Sequence, residues 1–161
     1  MRQYIIFSGL PASGKTTFRQ TLLDINNKFE ILSSDDIIDR EAKKLSTTYN
    51  KIFPSAINMA TNEVNKKRTE LFRNGYDFIL DDHTNLSPKV RSEKLAYIPH
   101  NMFKYKTVCF YFECQNENEW RRRLNNRDGK IIPDAALNAM RHRLVVPTKN
   151  EGFDEVHIIR S

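Results

Sequence analysis

Eight residues constrain this chain more than any others: Gly9, Leu10, Pro11, Ala12, Ser13, Gly14, Lys15 and Thr16. They fit G-x-x-x-x-G-K-[ST], and they lie between an apolar run, Tyr4–Ser8, and a stretch with helical periodicity, about Gly14 to Ile25, in which Phe18, Leu22 and Ile25 share a face. A strand that turns through such a loop directly into a helix points successive backbone N–H groups at one spot, and the helix adds its positive end. Gly9 and Gly14 let the backbone turn tightly and approach a ligand closely. The pattern therefore predicts a phosphate-binding loop. Lys15 is expected to reach the β- and γ-phosphates of ATP, Thr16 to offer its hydroxyl to Mg²⁺, and Thr17 to extend the loop's contacts.

The rest of the chain supplies a frame for that loop. Further apolar runs at Phe29–Ser33, Phe78–Asp82, Thr107–Phe112 and Val156–Ile159 read as buried parallel strands. Helical stretches separate them. Ser34 or Asp35 is expected to cap a second helix carrying Ile37, Ile38 and Leu45. A third is expected from near Pro54 to Asn74-Gly75. A fourth follows Ser87-Pro88, a fifth covers Glu117–Asn126, and a sixth runs from Pro133-Asp134 to about Leu144. Strand alternating with helix predicts an α/β domain with a parallel sheet, whose ligands bind at the carboxyl ends of the strands. With 161 residues and no repeat or linker composition, the chain is expected to form one domain, 1–161.

Residues just after the strands are thus the candidates for chemistry. Asp35 and Asp36 follow the second strand. Asp35 can accept a proton from an attacking hydroxyl; the same two carboxylates also suit a helix cap and first turn, and spacing leaves both roles open. Asp82, Thr84 and Asn85 follow the third strand. One carboxylate of Asp81-Asp82 can hold Mg²⁺ through water, and because adjacent side chains alternate faces the two are not expected to reach one ion; Asp82 is the candidate. His83 reads as a polar loop residue. Between Trp120 and Lys130 lie Arg121, Arg122, Arg123 and Arg127. Arg123 and Arg127 are four apart, so they are expected to share one helix face, where they could clamp phosphates in a lid over residues 117–132; a solvated basic face is the other reading of such a run.

The net charge of +6 favours an anionic partner such as a nucleotide or nucleic acid. Two cysteines, Cys109 and Cys114, make neither a disulfide framework nor a metal site, and Cys109 reads as core. No apolar run approaches the length that crosses a bilayer, and no signal peptide is evident, so a cytoplasmic protein without membrane association or obligate protein partner is expected.

Together these segments resemble the 5′-polynucleotide kinase family of P-loop kinases. The resemblance rests on Gly9–Thr17, with Ala12 where the family has glycine; on Ser34-Asp35-Asp36; on Asp82-His83-Thr84-Asn85; on Arg123 and Arg127 followed by Ile132-Pro133; and on Pro147 to Phe153 with Glu151-Gly152. It implies a three-layer α/β/α P-loop NTPase fold with a five-stranded parallel sheet ordered 2-3-1-4-5 and an Arg-rich helical lid. It implies transfer of the γ-phosphate of ATP to a hydroxyl, the 5′-OH end of DNA or RNA. Asp35 would be the base, with Lys15, Arg123 and Arg127 on the phosphates and Asp36, Arg40, Asp82, Thr84 and Asn85 around the acceptor. The family's acceptor-gripping arginine is replaced here by Ile38, with Arg40 nearest. A kinase for a sugar, nucleoside or antibiotic is the alternative. A nucleotide-binding regulator without an efficient acceptor is a third.

Overall fold

The computed structural model describes all residues, 1–161. Five strands form one parallel sheet: β1 (Arg2–Gly9), β2 (Glu30–Leu32), β3 (Phe78–Asp81), β4 (Tyr105–Glu113) and β5 (Glu155–Arg160). Their order is β2-β3-β1-β4-β5, as the resemblance implies. Register runs from Leu32 opposite Asp81, through Ile6 opposite both Asp81 and Cys109, to Cys109 opposite Val156. The carboxyl ends of β1, β2 and β3 therefore finish at one edge, and the loops that follow them meet there.

Alternation along β1 divides the core. Ile5 and Phe7 face one layer with Leu80, Val108 and Phe112, covered by Phe18, Leu22 and Leu23 of α1 (Lys15–Ile25). Tyr4 and Ile6 face the other with Ile79 and Cys109. Val64, Leu71 and Phe72 of α3 (Tyr49–Arg73) cover that side. Burial on both faces is what a parallel sheet requires and why its strands read as continuous apolar runs. Cys109 is core, its thiol pushed up to about 12 by burial.

Four expectations about helices are corrected. Ile25 does not join the α1 face; it is exposed at the helix end. The cap of α2 (Ser34–Lys44) is Ser33, whose hydroxyl accepts from the Asp36 N–H at 3.2 Å, so Ser34 and Asp35 open the helix. Leu45 is the C-cap of α2 and exposed. Helix α3 starts at Tyr49, before Pro54. The packing of α3 against α2 through Ala56, Ala60 and Ile38 outweighs the one backbone bond that a proline removes. Helix α4 (Pro88–Leu95) is capped by Ser87, as expected. Helices α5 (Glu117–Asn125) and α6 (Asp134–Arg143) close over the end of β1. There Trp120 and Leu137 pack with Leu10 and Leu86.

Candidate active site

The loop after β1 is built for anions. Its backbone is left-handed at Ala12 (φ 60°) and Gly14 (φ 101°). The amides of Ala12, Ser13 and Gly14 donate to no protein acceptor, and Gly14 caps α1 without a side chain, so the first-turn amides of α1 are open as well. At Gly9 a Cβ would sit 2.9 Å from the Phe112 carbonyl oxygen, so glycine there lets β1 lie against β4 as the loop departs. Trp120 fixes the loop from above: its indole N–H donates to the Pro11 carbonyl at 2.7 Å. Leu10 is buried beneath it. The ammonium of Lys15 donates to the Gly9 and Leu10 carbonyls at 2.9 and 2.6 Å. Burial pushes Lys15 down to about 8, against the opposing pull of Asp82 and Asp35. Thr16 and Thr17 are exposed at the start of α1.

Beside the loop, Arg19 organises two carboxylates. Its guanidinium donates to both Asp36 oxygens, at 3.1 and 2.6 Å, and to Asp82 Oδ2 at 3.1 Å. Burial raises Asp82 above the ordinary carboxylate value, with Arg19 holding it back. Sequence reasoning missed Arg19. Its spacing of four from Lys15, on the same helix face, is the signal that was present.

Asp35 is exposed at the opening of α2 and accepts from the Tyr49 hydroxyl at 2.6 Å. A cleft of about 290 Å³ adjoins it, lined by Ser34, Asp35, Thr61, Asp82, Thr84 and Lys94 among others. The cleft brings Asp35, Asp82 and Thr84 together, but it does not include the other residues expected around the acceptor. Asp36 and Arg40 line a separate cleft with Glu63 and Lys67 of α3, where Arg40 pairs with both Glu63 oxygens. Asn85 lies in neither: it is buried, and its amide donates to the Phe7 carbonyl and to Asp81. A residue with φ 42° joins β3 to α4, and its amide ties that turn to β1, so Asn85 shapes the site from within.

Beneath the cleft sits a buried ionic network. Asp81 Oδ2 accepts from Arg68 at 2.6 Å and from Tyr4 at 3.3 Å. Asp81 Oδ1 pairs with His83 Nδ1 at 2.7 Å. Burial would raise Asp81, yet His83, Lys94 and Arg68 hold it well below the ordinary carboxylate range. The other ring nitrogen, His83 Nε2, accepts from the Ser34 N–H at 3.2 Å, which makes Nδ1 the donor to Asp81. His83 thus links the scaffold to the first turn of α2, beside Asp35. On the opposite side Arg91 forks onto Glu151 at 2.7 and 2.8 Å and donates to the Asn85 carbonyl, which places the Glu151-Gly152-Phe153 segment as support for the same turn.

The arginine run divides. Arg121 pairs with Glu117 and Arg122 with Glu119, both on the solvent side. Arg123 donates to Glu119 at 3.0 Å and to the Ser161 hydroxyl at 3.3 Å. Arg127 is not on the helix with Arg123, because α5 ends at Asn125 with Asn126 as its C-cap. It stands in the loop beyond, donates no hydrogen bond, and its charge bears on both Lys15 and Tyr49. That loop is fastened to the start of α3. The Asn50 N–H donates to the Gly129 carbonyl at 3.2 Å, and the Asn50 amide exchanges bonds with Ile131 at 2.9 and 3.1 Å.

Residues 5–147 match the sequence profile of the AAA domain family. The chain belongs to that family. Solved structures share the fold at low identity. A kinase described from Chloroflexus aurantiacus J-10-fl superposes with a TM-score of 0.71 at 18% identity, over 99% of this chain and 85% of that one. A sugar kinase from Janibacter sp. HTCC2649 gives 0.62 at 14%, over 99% and 86%. A fungal RNA kinase gives 0.56 at 14%, over 99% and 75%. This AAA domain thus has the architecture of P-loop kinases. No helix in it is long and apolar enough to cross a membrane.

Proposed function

We propose that this chain is an ATP-dependent kinase that transfers the γ-phosphate to a hydroxyl, with the 5′-OH end of DNA or RNA as acceptor. One observation carries the reading. Asp35 and Asp82 line one cleft, and both carboxylates, with Arg127, bear on the charge of Lys15 in the loop of open amides. A phosphate cradle within electrostatic reach of an exposed carboxylate is the minimum that hydroxyl phosphorylation needs.

In this reading the loop amides, the α1 terminus and Lys15 hold the triphosphate. Asp35 accepts the proton of the acceptor hydroxyl as that oxygen attacks the γ-phosphorus. Arg127, free of other partners, turns onto the transferred group to offset its charge; Arg123 does so after leaving Glu119. The protein's own donors for Mg²⁺ are the Thr16 hydroxyl and Asp82, the latter already held by Arg19. That set fits an ion carried in on the nucleotide phosphates, with water completing its shell, better than a protein cage. When bound, the ion would neutralise phosphate charge. The net charge of +6 supports a polyanionic acceptor, whose affinity then falls steeply with salt.

A second reading, a small-molecule kinase, is favoured by the compact cleft and by Arg40 being committed to Glu63 in a separate cleft. Transfer of labelled γ-phosphate to 5′-OH oligonucleotides separates the two. Labelled oligonucleotide, with Asp35→Asn lowering turnover about 10²–10⁴-fold at unchanged ATP affinity, is the expected result. Labelling of a sugar or nucleoside but of no oligonucleotide would overturn the preferred acceptor.

A further inference from the structure

We propose that Tyr49 is itself a phosphate acceptor, an autophosphorylation site that shuts the acceptor cleft. This rests on the reading of Asp35 as the base. The Tyr49 hydroxyl donates to Asp35 Oδ1 at 2.6 Å, which is the contact that an acceptor hydroxyl must make before transfer. No other tyrosine is so placed. The hydroxyl of Tyr4 is sealed in the core on Asp81, and that of Tyr105 donates to the Tyr76 carbonyl. The hydroxyls of Tyr76, Tyr97 and Tyr111 make no hydrogen bond to a carboxylate.

Tyr49 is also held where the lid closes. It opens α3, and the next residue, Asn50, binds both Gly129 and Ile131 of the lid loop. The Lys130 ammonium lies 4.5 Å from the centre of the Tyr49 ring and donates to Asp39 at 2.7 Å. The phenol is thus pinned between the base and a cation-bearing loop, so little freedom is lost in reaching a reactive geometry. The Arg127 charge bears on the Tyr49 phenol as well as on Lys15, so both lie within reach of one cation.

The step balances. The phenolic proton passes to Asp35 while the Tyr49 oxygen forms its bond to the γ-phosphorus. The bond from that phosphorus to the β,γ-bridging oxygen breaks, and ADP leaves. The new dianion sits beside Asp35, which repels it, and near Lys130 and Arg127, which attract it. The modified side chain therefore swings toward the lid loop and holds it shut, and an external hydroxyl can no longer reach Asp35.

The full chain is incubated with Mg²⁺ and labelled ATP and mapped by mass spectrometry. Phosphate on Tyr49 is expected, accumulating at a rate per chain independent of protein concentration. Transfer to a 5′-OH oligonucleotide should fall in step with Tyr49 occupancy. Tyr49→Phe and Asp35→Asn should abolish the labelled peptide; Tyr76→Phe should not. Absence of phosphate at Tyr49, or label confined to other residues, overturns the proposal. Label that survives Asp35→Asn overturns it too, because the base would not be involved. Should the oligonucleotide be labelled while Tyr49 is not, only this inference fails; should neither be labelled, the kinase reading fails with it.

Discussion

Asp81 and Asp82 are neighbours in sequence and opposites in structure. Asp81 ends β3 facing the α3 layer, fully buried and bound to Arg68, His83 and Asn85. Asp82 turns the other way, toward the phosphate loop, with only Arg19 as partner. Their carboxyls shift in opposite directions: Asp81 is held down by its cations, and Asp82 is raised because burial exceeds what Arg19 returns. The pair shows that a single step of strand alternation separates a fully paired carboxylate from one left with a single partner. A carboxylate with a full set of partners anchors the fold; one left under-compensated keeps capacity for another ligand.

The sharpest break of that comparison is substitution on each side of it. Asp81→Asn leaves Arg68 buried without a counter-charge and should cost about 3–5 kcal/mol in urea unfolding. Asp82→Asn should change stability by no more than about 1 kcal/mol, since the carboxylate is disfavoured where it stands, while lowering turnover about 10–100-fold. Equal stability losses would erase the distinction.

The pH dependence sharpens it further. Asp81 has a depressed native pKa, so its stabilisation is present in full above the ordinary carboxylate value and is lost as pH falls through the lower native one. Asp82 has the opposite sign: its penalty is relieved as pH falls, because the native state takes up the proton first. The destabilisation by Asp81→Asn should therefore shrink below about pH 4, measured by unfolding across a pH series.

On the working side, Lys15 is lowered to about 8, so in free protein its ammonium is increasingly neutral above that pH. A triphosphate on the loop raises it again. Nucleotide binding near pH 8.5 should take up protons, read by calorimetry in buffers of different ionisation enthalpy. No uptake would mean that the ammonium is already fully charged. The smallest effect belongs to Ala12, left-handed at φ 60° where a side chain is strained. Ala12→Gly should raise stability by a few tenths of a kcal/mol, as relief of strain outweighs the added freedom of the unfolded chain.

Local rules made much of this legible in advance. The loop pattern needs only eight consecutive residues, strand runs need only burial on both faces, and the Ser87 cap needs only the proline after it. Those features depend on near neighbours, and their places followed from order alone. The failures lie where distant parts compete. Proline at position 54 argued against a helix that α2 packing sustains from Tyr49 onward. The four-residue spacing of Arg123 and Arg127 assumed a helix that stops at Asn125.

The residue types of the candidate site were thus set by sequence: a glycine-bracketed turn, a lysine after it, carboxylates at the ends of β2 and β3. Which carboxylate is spent on the scaffold, which arginine is free, and which hydroxyl meets Asp35 were decided by tertiary structure. Strand order and helix packing bring Arg19 to Asp82, Arg68 to Asp81 and Tyr49 to Asp35 across 63, 13 and 14 positions of chain. Pairings of that kind depend on three-dimensional distance and on burial, and no local pattern encodes either.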